Sequence, residues 1–395
     1  MSQSQLDVII LGAGIAGLSL ALALAKQGFR IAIVDRAPIM SVPPTNPSLR
    51  VFAITKANCN AWQSLAVWDT ICDLREPSPL RQIHVSDAAT QARIQFDSQA
   101  IGVPTMGYLL EQEVLLFALQ QALMAFSENV DYHVIVPERV SIDAKHATVL
   151  LSDGKTLSAS VVVGADGAKS WLREHLRFAL TQHKYNQMAI VAQITTQKAH
   201  AATARQVFLD DEILAFLPLA DSHQCSIVWS VNEEHAKVLM ALDDEIFLQK
   251  LSAAFGNTLG DLSATSQRLT FPLIRQQVSQ YIQPRVALVG DAAHTIHPLA
   301  GQGLNMGLQD VWRLVDVLIT AKQKQRDIGA YDTLRRYERW RKTHNVMMAA
   351  SIDALKQGFA LQNPLIQQAR ALGMRAIDTL NCCKDPIVRY AMGLD

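Results

Sequence analysis

The 395-residue chain is poor in charge and in cysteine. Lys+Arg and Asp+Glu stand equal at 36 each, so no basic surplus points to nucleic acid. The 5 cysteines are Cys59, Cys72, Cys225, Cys382 and Cys383. They form no CxxC and no metal-ligand spacing, and their odd number and scatter fit buried thiols in a reducing cytoplasm. Repeats, low-complexity tracts and long charge runs are missing as well. One stretch, Val8 to Ala25, is uncharged and apolar enough to score as a membrane span. Asp7 abuts it and no Lys or Arg precedes it, which argues against a signal peptide. The glycines at 12, 14 and 17 inside it argue for something other than a span. What the chain has in quantity is apolar residues, 49%, at a length that fits two or three domains with ample core.

The chain is organised around Val286 to Asp310. Val286, Ala287, Leu288 and Val289 read as a short buried strand, which Gly290 and Asp291 end. A loop of small residues with Gly301, Gln302 and Gly303 follows, and a helix begins near Leu304 and Asn305. Glycines let backbone N–H groups come close to a large ligand, and a helix N-terminus favours an anionic or electron-rich group. The acid at the strand end can reach a sugar hydroxyl. His294 and His297 have H-x-x-H spacing but no third ligand, so loop packing is preferred to a metal site. A proton-handling role for either histidine stays open.

The N-terminus carries a second such unit. Leu6 to Leu11 reads as a buried parallel strand. Gly12, Gly14 and Gly17 make G-x-G-x-x-G, and Leu18 to Gln27 reads as a helix with Gly28 at its C-cap. Ile31 to Val34 is the next strand, with Asp35 and Arg36 after it. This is the β–α–β dinucleotide fingerprint: tight turn at Gly12, pyrophosphate approach at Gly14, helix packing at Gly17, ribose hydroxyls at Asp35. It does not say which dinucleotide.

Met40 to Pro47 is a loop, and Arg50 follows among apolar neighbours. Glu111 to Met124 has helical periodicity. Ser160 to Val163 is an apolar strand ending in Gly164-Ala165-Asp166-Gly167-Ala168. From Met188 to Leu273 the texture becomes antiparallel, with strands at 189–195, 206–208, 214–219 and 225–231. Asp332 to Asp395 is helical, and Leu365, Ala369, Leu372, Ala376 and Leu380 lie near one helical face.

Three ordered motifs, GAGIAG at 12–17, GADGA at 164–168 and GDAAHTIHPLAGQG at 290–303, together resemble the flavoprotein aromatic hydroxylases of the para-hydroxybenzoate hydroxylase fold. HPLAGQG at 297–303 resembles the ubiquinone-biosynthesis hydroxylases within that group. LRVFAI at 49–54, ARQVF at 204–208, ILAFLPLAD at 213–221, CSIVWS at 225–230, LRRYERWRK at 334–342 and the terminal AMGLD are similar to the branch that acts on 2-polyprenylphenol at ring C5. Sister branches acting at C1 and C7 share the core motifs. The fold class expected is α/β: a Rossmann-like FAD-binding domain (1–75, 100–180 and 275–330), an inserted antiparallel β-sheet substrate domain (76–99 and 181–274), and C-terminal helices (331–395).

By this resemblance the cofactor is FAD, with NAD(P)H as co-substrate. Gly12, Gly14 and Gly17 would hold the pyrophosphate and Asp35, with Arg36 beside it, the AMP ribose. Asp35 departs from the Glu common at that place by one methylene. Arg50 and Gln112 would lie near the phosphate and ribityl chain. Asp166 and Gly167 belong to the motif linked to FAD and nicotinamide binding. Asp291 would bond the ribityl chain, and Pro298, Gly301, Gly303, Leu304 and Asn305 would shape the isoalloxazine site. The chemistry implied is external monooxygenation of a polyprenylated phenol by O2 through a flavin C4a-hydroperoxide, which calls for neither a catalytic triad nor a metal. Phe216, Leu217, Pro218, Phe271 and Pro272 are expected to wall an apolar substrate site. A lipid substrate, the stripe at 365–380 and the basic run Arg335, Arg336, Arg339, Arg341 and Lys342 raise peripheral contact with the inner membrane. A ubiquinone-biosynthesis complex is a further partner to test. Two other readings stay open: a flavin dehydrogenase or oxidase, and a non-catalytic assembly subunit stabilised by FAD.

Overall fold

The computed structural model describes residues 6–297 and 301–393, with the backbone alone for 381–383. Leu6–Leu11 and Ile31–Asp35 are nearly all apolar and buried, as strands covered on both faces must be. They pair in parallel, and the first strand pairs on its other edge with Thr156–Gly164. Val286–Leu288 adds in parallel beyond Thr156–Gly164, and Val130–Val134 beyond Ile31–Asp35. The first strand is therefore the centre of a parallel sheet, with a connection leaving it on each side.

The helix Ile15–Ala25 packs between the helices Gln112–Met124 and Gln302–Gln323. Enclosed on nearly every side, it has no need of a polar face. That accounts for the apolar run from Val8: it is a buried strand, a glycine turn and a buried helix. No helix among the described residues is long and apolar enough to cross a membrane.

A second, largely antiparallel sheet contains Thr203–Leu209, Glu212–Pro218, Gln224–Asn232, Leu180–Thr196 and Leu269–Val278 in that spatial order. The strand expected at 189–195 is thus the end of one much longer element. A register shift between Lys184 and Met188, with Asn186 at φ 53°, interrupts its pairing with Leu269–Val278, as a bulge that bends the strand does. One face of this sheet, with Ile190, Ile194, Phe216 and Trp229, is covered by the helices Glu233–Ala241 and Asp244–Phe255. The other face turns to the first domain: Gln193 Nε2 donates to the Ser48 carbonyl (2.9 Å). The strands Val51–Thr55, Ser78–Leu80 and Gly107–Glu111 form a small third sheet, which joins that face through Ala53, Leu80, Leu109 and Leu217.

The C-terminal region is three helices, Tyr331–Ala360, Pro364–Thr379 and Asn381–Met392. It is not set apart from the rest. Leu334 and Tyr337 sit in the main core, and Ile352 packs with Phe208 and Ile213 of the second sheet. The Pro364–Thr379 helix buries Ala371 and Met374, and Arg370 pairs with Asp87 at 2.7 Å. Its opposite face is the stripe of Leu365, Ala369, Leu372, Ala376 and Leu380, which is left in solvent.

Candidate cofactor and substrate site

Leu11 is in register with Val34 on one side and Gly164 on the other, and Gly164 is in register with Leu288. The strand ends therefore deliver Gly12, Asp35, Ala165 and Gly290 side by side at the carboxyl edge of the parallel sheet. The strand order reverses here, which is where open α/β sheets bind ligands.

The three N-terminal glycines do different jobs. Gly12 has φ 104°, and a Cβ there would lie 2.5 Å from the Ala165 carbonyl oxygen. A Cβ on Gly17 would lie 2.0 Å from the Gly12 carbonyl oxygen. Both contacts are internal to the protein: they let the first turn, the second glycine motif and the helix close on one another. Gly14 is exposed at the N-cap of the Ile15–Ala25 helix, and a Cβ there would meet nothing within 4 Å. Open space in front of a helix N-terminus is room for an anion.

Asp35 accepts from Ala13 N–H at Oδ2 (2.6 Å) and from Ala37 N–H at Oδ1 (2.8 Å). Each carboxylate oxygen keeps capacity for a further donor. Arg36 follows it, exposed. Asp166 accepts from Leu172 N–H at Oδ2 (3.1 Å), and Gly167 turns the chain at φ 80°. Burial pushes the Asp166 carboxyl up, and its Oδ1 is buried without a partner among the described residues. A buried acceptor left open is satisfied by a ligand or water.

Asp291 lies in the 3-10 turn Gly290–Ala292 and reaches solvent. Loss of hydration nonetheless pushes its carboxyl up, with His294 and Arg50 pulling it back. A group both open to solvent and crowded by protein sits in a concave site. Arg50 donates to Gln112 Oε1 (3.3 Å), and its guanidinium lies 5.1 Å from the centre of the Phe271 ring. Arg50, Gln112, Phe271 and Asp291 thus gather around one cleft, although 241 residues separate Arg50 from Asp291.

Gly301 caps the Gln302–Gln323 helix and lies against Ala53: a Cβ on it would be 3.3 Å from that of Ala53. Gly303 and Leu304 are half-buried in the first turn. The Asn305 side chain is spent on the protein. Its amide donates to Ala53 O (2.7 Å) and Gly301 O (3.0 Å), and its oxygen accepts from Thr55 N–H and Asn58 Nδ2 (2.9 Å each). Pro298 lies outside the described residues.

The expected substrate wall divides in two, because side chains alternate along a strand. Leu217 faces the cleft with Ala53 and Leu109, and Phe271 lies on the same face. Phe216 points the other way and stacks on Phe255 with ring centres 3.6 Å apart. Pro218 shares the face of Phe216, and Pro272 alternates away from Phe271 into solvent. Phe216, Pro218 and Pro272 are therefore corrected from cleft wall to the far side of the sheet. Sequence reasoning missed Ser226, which pairs with Leu217 and Gln193 on the cleft face and whose buried Oγ has no partner among the described residues. Strict alternation counted from Leu217 across the CSIVWS strand was the signal available.

The two histidines part company. His294 Nε2 meets Asp310 (2.6 Å), whereas the His297 ring packs edge-on against Tyr185 at 5.2 Å. Burial, with Lys356 nearby, brings His297 down to about 4. Among the described residues no three His, Cys, Asp or Glu side chains gather as a metal site.

A parallel sheet with two glycine corners and a row of carboxylates at its carboxyl edge, faced by a second sheet, has the form of a dinucleotide-dependent enzyme. The family model described as "FAD binding domain" matches residues 5–349. The 3-demethoxyubiquinol 3-hydroxylase of Escherichia coli K12 is 33% identical over 402 residues, covering 100% of each chain. Ubiquinone hydroxylase UbiL of Rhodospirillum rubrum is 33% identical over 390 residues, covering 98% of this chain and 89% of its own. PqsL of Pseudomonas aeruginosa shares the fold, with a TM-score of 0.75 at 23% identity over 94% of this chain and 100% of its own. This chain belongs to the FAD binding domain family, among the hydroxylases of ubiquinone biosynthesis.

Proposed function

We propose that the chain hydroxylates the ring of a polyprenylated phenol in ubiquinone biosynthesis, using FAD, NAD(P)H and O2. The observation that carries this is the cleft between the glycine corners and the second sheet. Its walls are apolar at Leu217, Leu109, Ala53 and Phe271. Such walls suit a prenyl tail, each buried CH2 of which contributes about 0.8 kcal/mol.

The residues present fit FAD: open space before a helix N-terminus at Gly14, free capacity on Asp35, and an unsatisfied acceptor on Asp166. When bound, FAD supplies electron transfer from NAD(P)H and activation of O2. The chain supplies placement. Gly14 and the helix behind it face the pyrophosphate, Asp35 the ribose, and Asp291 the ribityl hydroxyls. Arg50 and Gln112 close the side of the cleft, and Phe271 excludes water from it.

For the ring position, the motifs from 204 to 230 support C5 of 2-polyprenylphenol. The Escherichia coli relative acts, by its name, at position 3 of 3-demethoxyubiquinol, which supports a second reading. The chain should be expressed in strains each lacking one ring hydroxylase, with quinone intermediates profiled. Rescue of the C5-deficient strain alone supports the first reading. Rescue of the strain that accumulates 3-demethoxyubiquinol supports the second, and rescue of a C1 or C7 strain alone rejects both. If none is rescued, the prenylphenol reading itself fails.

The exposed stripe on Pro364–Thr379 fits a lipid surface, which a substrate held in the bilayer requires. Leu365 and Leu372 are 75% and 65% exposed, and the stripe from Leu365 to Leu380 carries no charge. The protein should float with anionic liposomes, and a Leu365→Asp/Leu372→Asp protein should not. No flotation of the parent at low salt rejects this part.

A further inference from the structure

The geometry points to Asp310 and His294 as positioning residues for the cofactor corner at Gly290–Asp291. The inference rests on FAD binding at that corner and is independent of the ring position.

Asp310 comes from the Gln302–Gln323 helix and is wholly buried. Its Oδ2 accepts from the Gly290 amide (3.2 Å) and from His294 Nε2 (2.6 Å). Its Oδ1 accepts from Arg341 Nε (2.7 Å) and Asn345 Nδ2 (3.0 Å). These four bonds match the acceptor capacity of a carboxylate. Arg341 and Asn345 belong to the Tyr331–Ala360 helix, so one side chain ties two helices to the turn that carries Asp291. An ionised carboxylate can only accept, so His294 Nε2 is the donor of this pair, and Asn345 Nδ2 lies 2.9 Å from the same nitrogen. Full burial would push the Asp310 carboxyl up, but His294 and Arg341 outweigh it and hold the group below the usual carboxylate range.

The placement argues for more than bulk stability. Gly290 directly precedes Asp291, and a Cβ on Gly307 would come 3.0 Å from the Gly290 Cα. The turn is therefore seated on the helix one turn before Asp310. His294 holds its other end, where His294–Thr295 pairs with Gln276–Gln277 of the second sheet. Asp291 is fixed from both sides by bonds that converge on a single carboxylate. None of these bonds is made by Asp291 itself, so its oxygens stay available to the cofactor.

Two histidine variants separate placement from packing. His294→Gln keeps an N–H that can reach Asp310, whereas His294→Leu fills the space without a donor. The measurements are FAD dissociation constant by fluorescence quenching, the shape of the visible flavin band, and Tm of the FAD-free protein. His294→Leu should weaken FAD about tenfold or more and alter the band, as expected for a lost charge-assisted bond. His294→Gln should stay within about threefold of the parent, since the bond can be remade. The Asp310→Leu/Arg341→Met protein removes both buried charges together, which avoids leaving one unpaired, but it strips the Gly290 amide, His294 and Asn345 of their acceptor and should lower Tm. It should still fold and bind FAD at least about tenfold more weakly. Parental FAD affinity and band in either His294→Leu or the double variant overturn the inference. So does an equal loss in the Gln and Leu variants. If His294→Leu cannot fold, the network is a folding element and the inference also fails.

Discussion

Gly14 and Gly17 stand three residues apart in one motif, yet the structure assigns their substitutions opposite outcomes. Gly14 has φ −73° and ψ 179°, a backbone any residue adopts, and no protein atom lies within 4 Å of a Cβ placed there. A Gly14→Val protein loses a little as an N-cap, about 1 kcal/mol or less, and keeps its core. What valine meets is the space reserved for the pyrophosphate. At 100 times its dissociation constant, a ligand stabilises its protein by about 2.7 kcal/mol. That increment should be present in the parent and missing in Gly14→Val. Gly17→Ala behaves in reverse. Its methyl would fall 2.0 Å from the Gly12 carbonyl oxygen, so helix or turn must move. Overpacking of this kind costs about 1–3 kcal/mol, and it should be visible without FAD. The assay is denaturant unfolding of each protein with and without saturating FAD. A Gly14→Val protein that keeps the FAD-dependent increment, or a Gly17→Ala protein whose FAD-free stability equals the parent's, refutes the reasoning.

Asp291→Ala removes a charge-assisted bond worth about 1.5–3 kcal/mol, so FAD titration should show roughly a ten- to hundredfold weaker complex; unchanged affinity would reduce Asp291 to a strand terminator. Phe216→Ala and Leu217→Ala should separate the two faces of one strand. The first should cost about 3–5 kcal/mol of stability through the lost Phe255 stack with little effect on KM, and the second should raise KM for the prenylated substrate. If their effects are exchanged, the facing of that strand is wrong. His297 stays neutral in the folded protein down to about 4, but in the unfolded chain it takes a proton near 6.5. The unfolded state therefore binds more protons between those values, and stability falls as pH drops through that window, by up to about 3 kcal/mol. His297→Phe should flatten that fall in urea titrations across the window, and an unaltered slope would show that other groups set it.

The parallel sheet was legible in the sequence because its strands are short apolar runs that end in glycine and acid. Leu6–Leu11, Ile31–Asp35 and Val286–Leu288 carry this pattern, and the helix from Ile15 is bounded by glycines. The convergence of Arg50, Gln112 and Asp291 came from family resemblance, since no local pattern joins residues so far apart. The facing of Phe216 was lost because three large apolar residues in a row hide the alternation; the helices covering one face decide it, and they lie later in the chain. The Asp310 network was illegible for a related reason. Asp310 sits in a helix that otherwise reads as amphipathic, and its partners come from the Gly290–Thr295 turn and a helix beginning at Tyr331. The hairpin Pro137–Leu151 passed unnoticed for want of a strong period.

The Asn305 clamp bears on how the chain comes off the ribosome. Its partners Thr55 and Asn58 are 250 and 247 positions earlier, and Trp312 donates to Asn58 across 254. The N-terminal β–α–β unit can form soon after its synthesis, and the strand Val51–Thr55 can pair with Gly107–Glu111, but it gains its bonds to Asn305 only when the Gln302–Gln323 helix emerges. Synthesis proceeds at about 5–20 residues per second, so a nascent chain spends on the order of 10 s or more with its dinucleotide turn made and its flavin corner missing. Contacts of such separation carry the loop-closure cost before they give anything back. The cofactor site is complete only after nearly the whole chain has been made, so FAD should load the finished chain rather than the growing one, and FAD added after synthesis should serve as well as FAD present throughout.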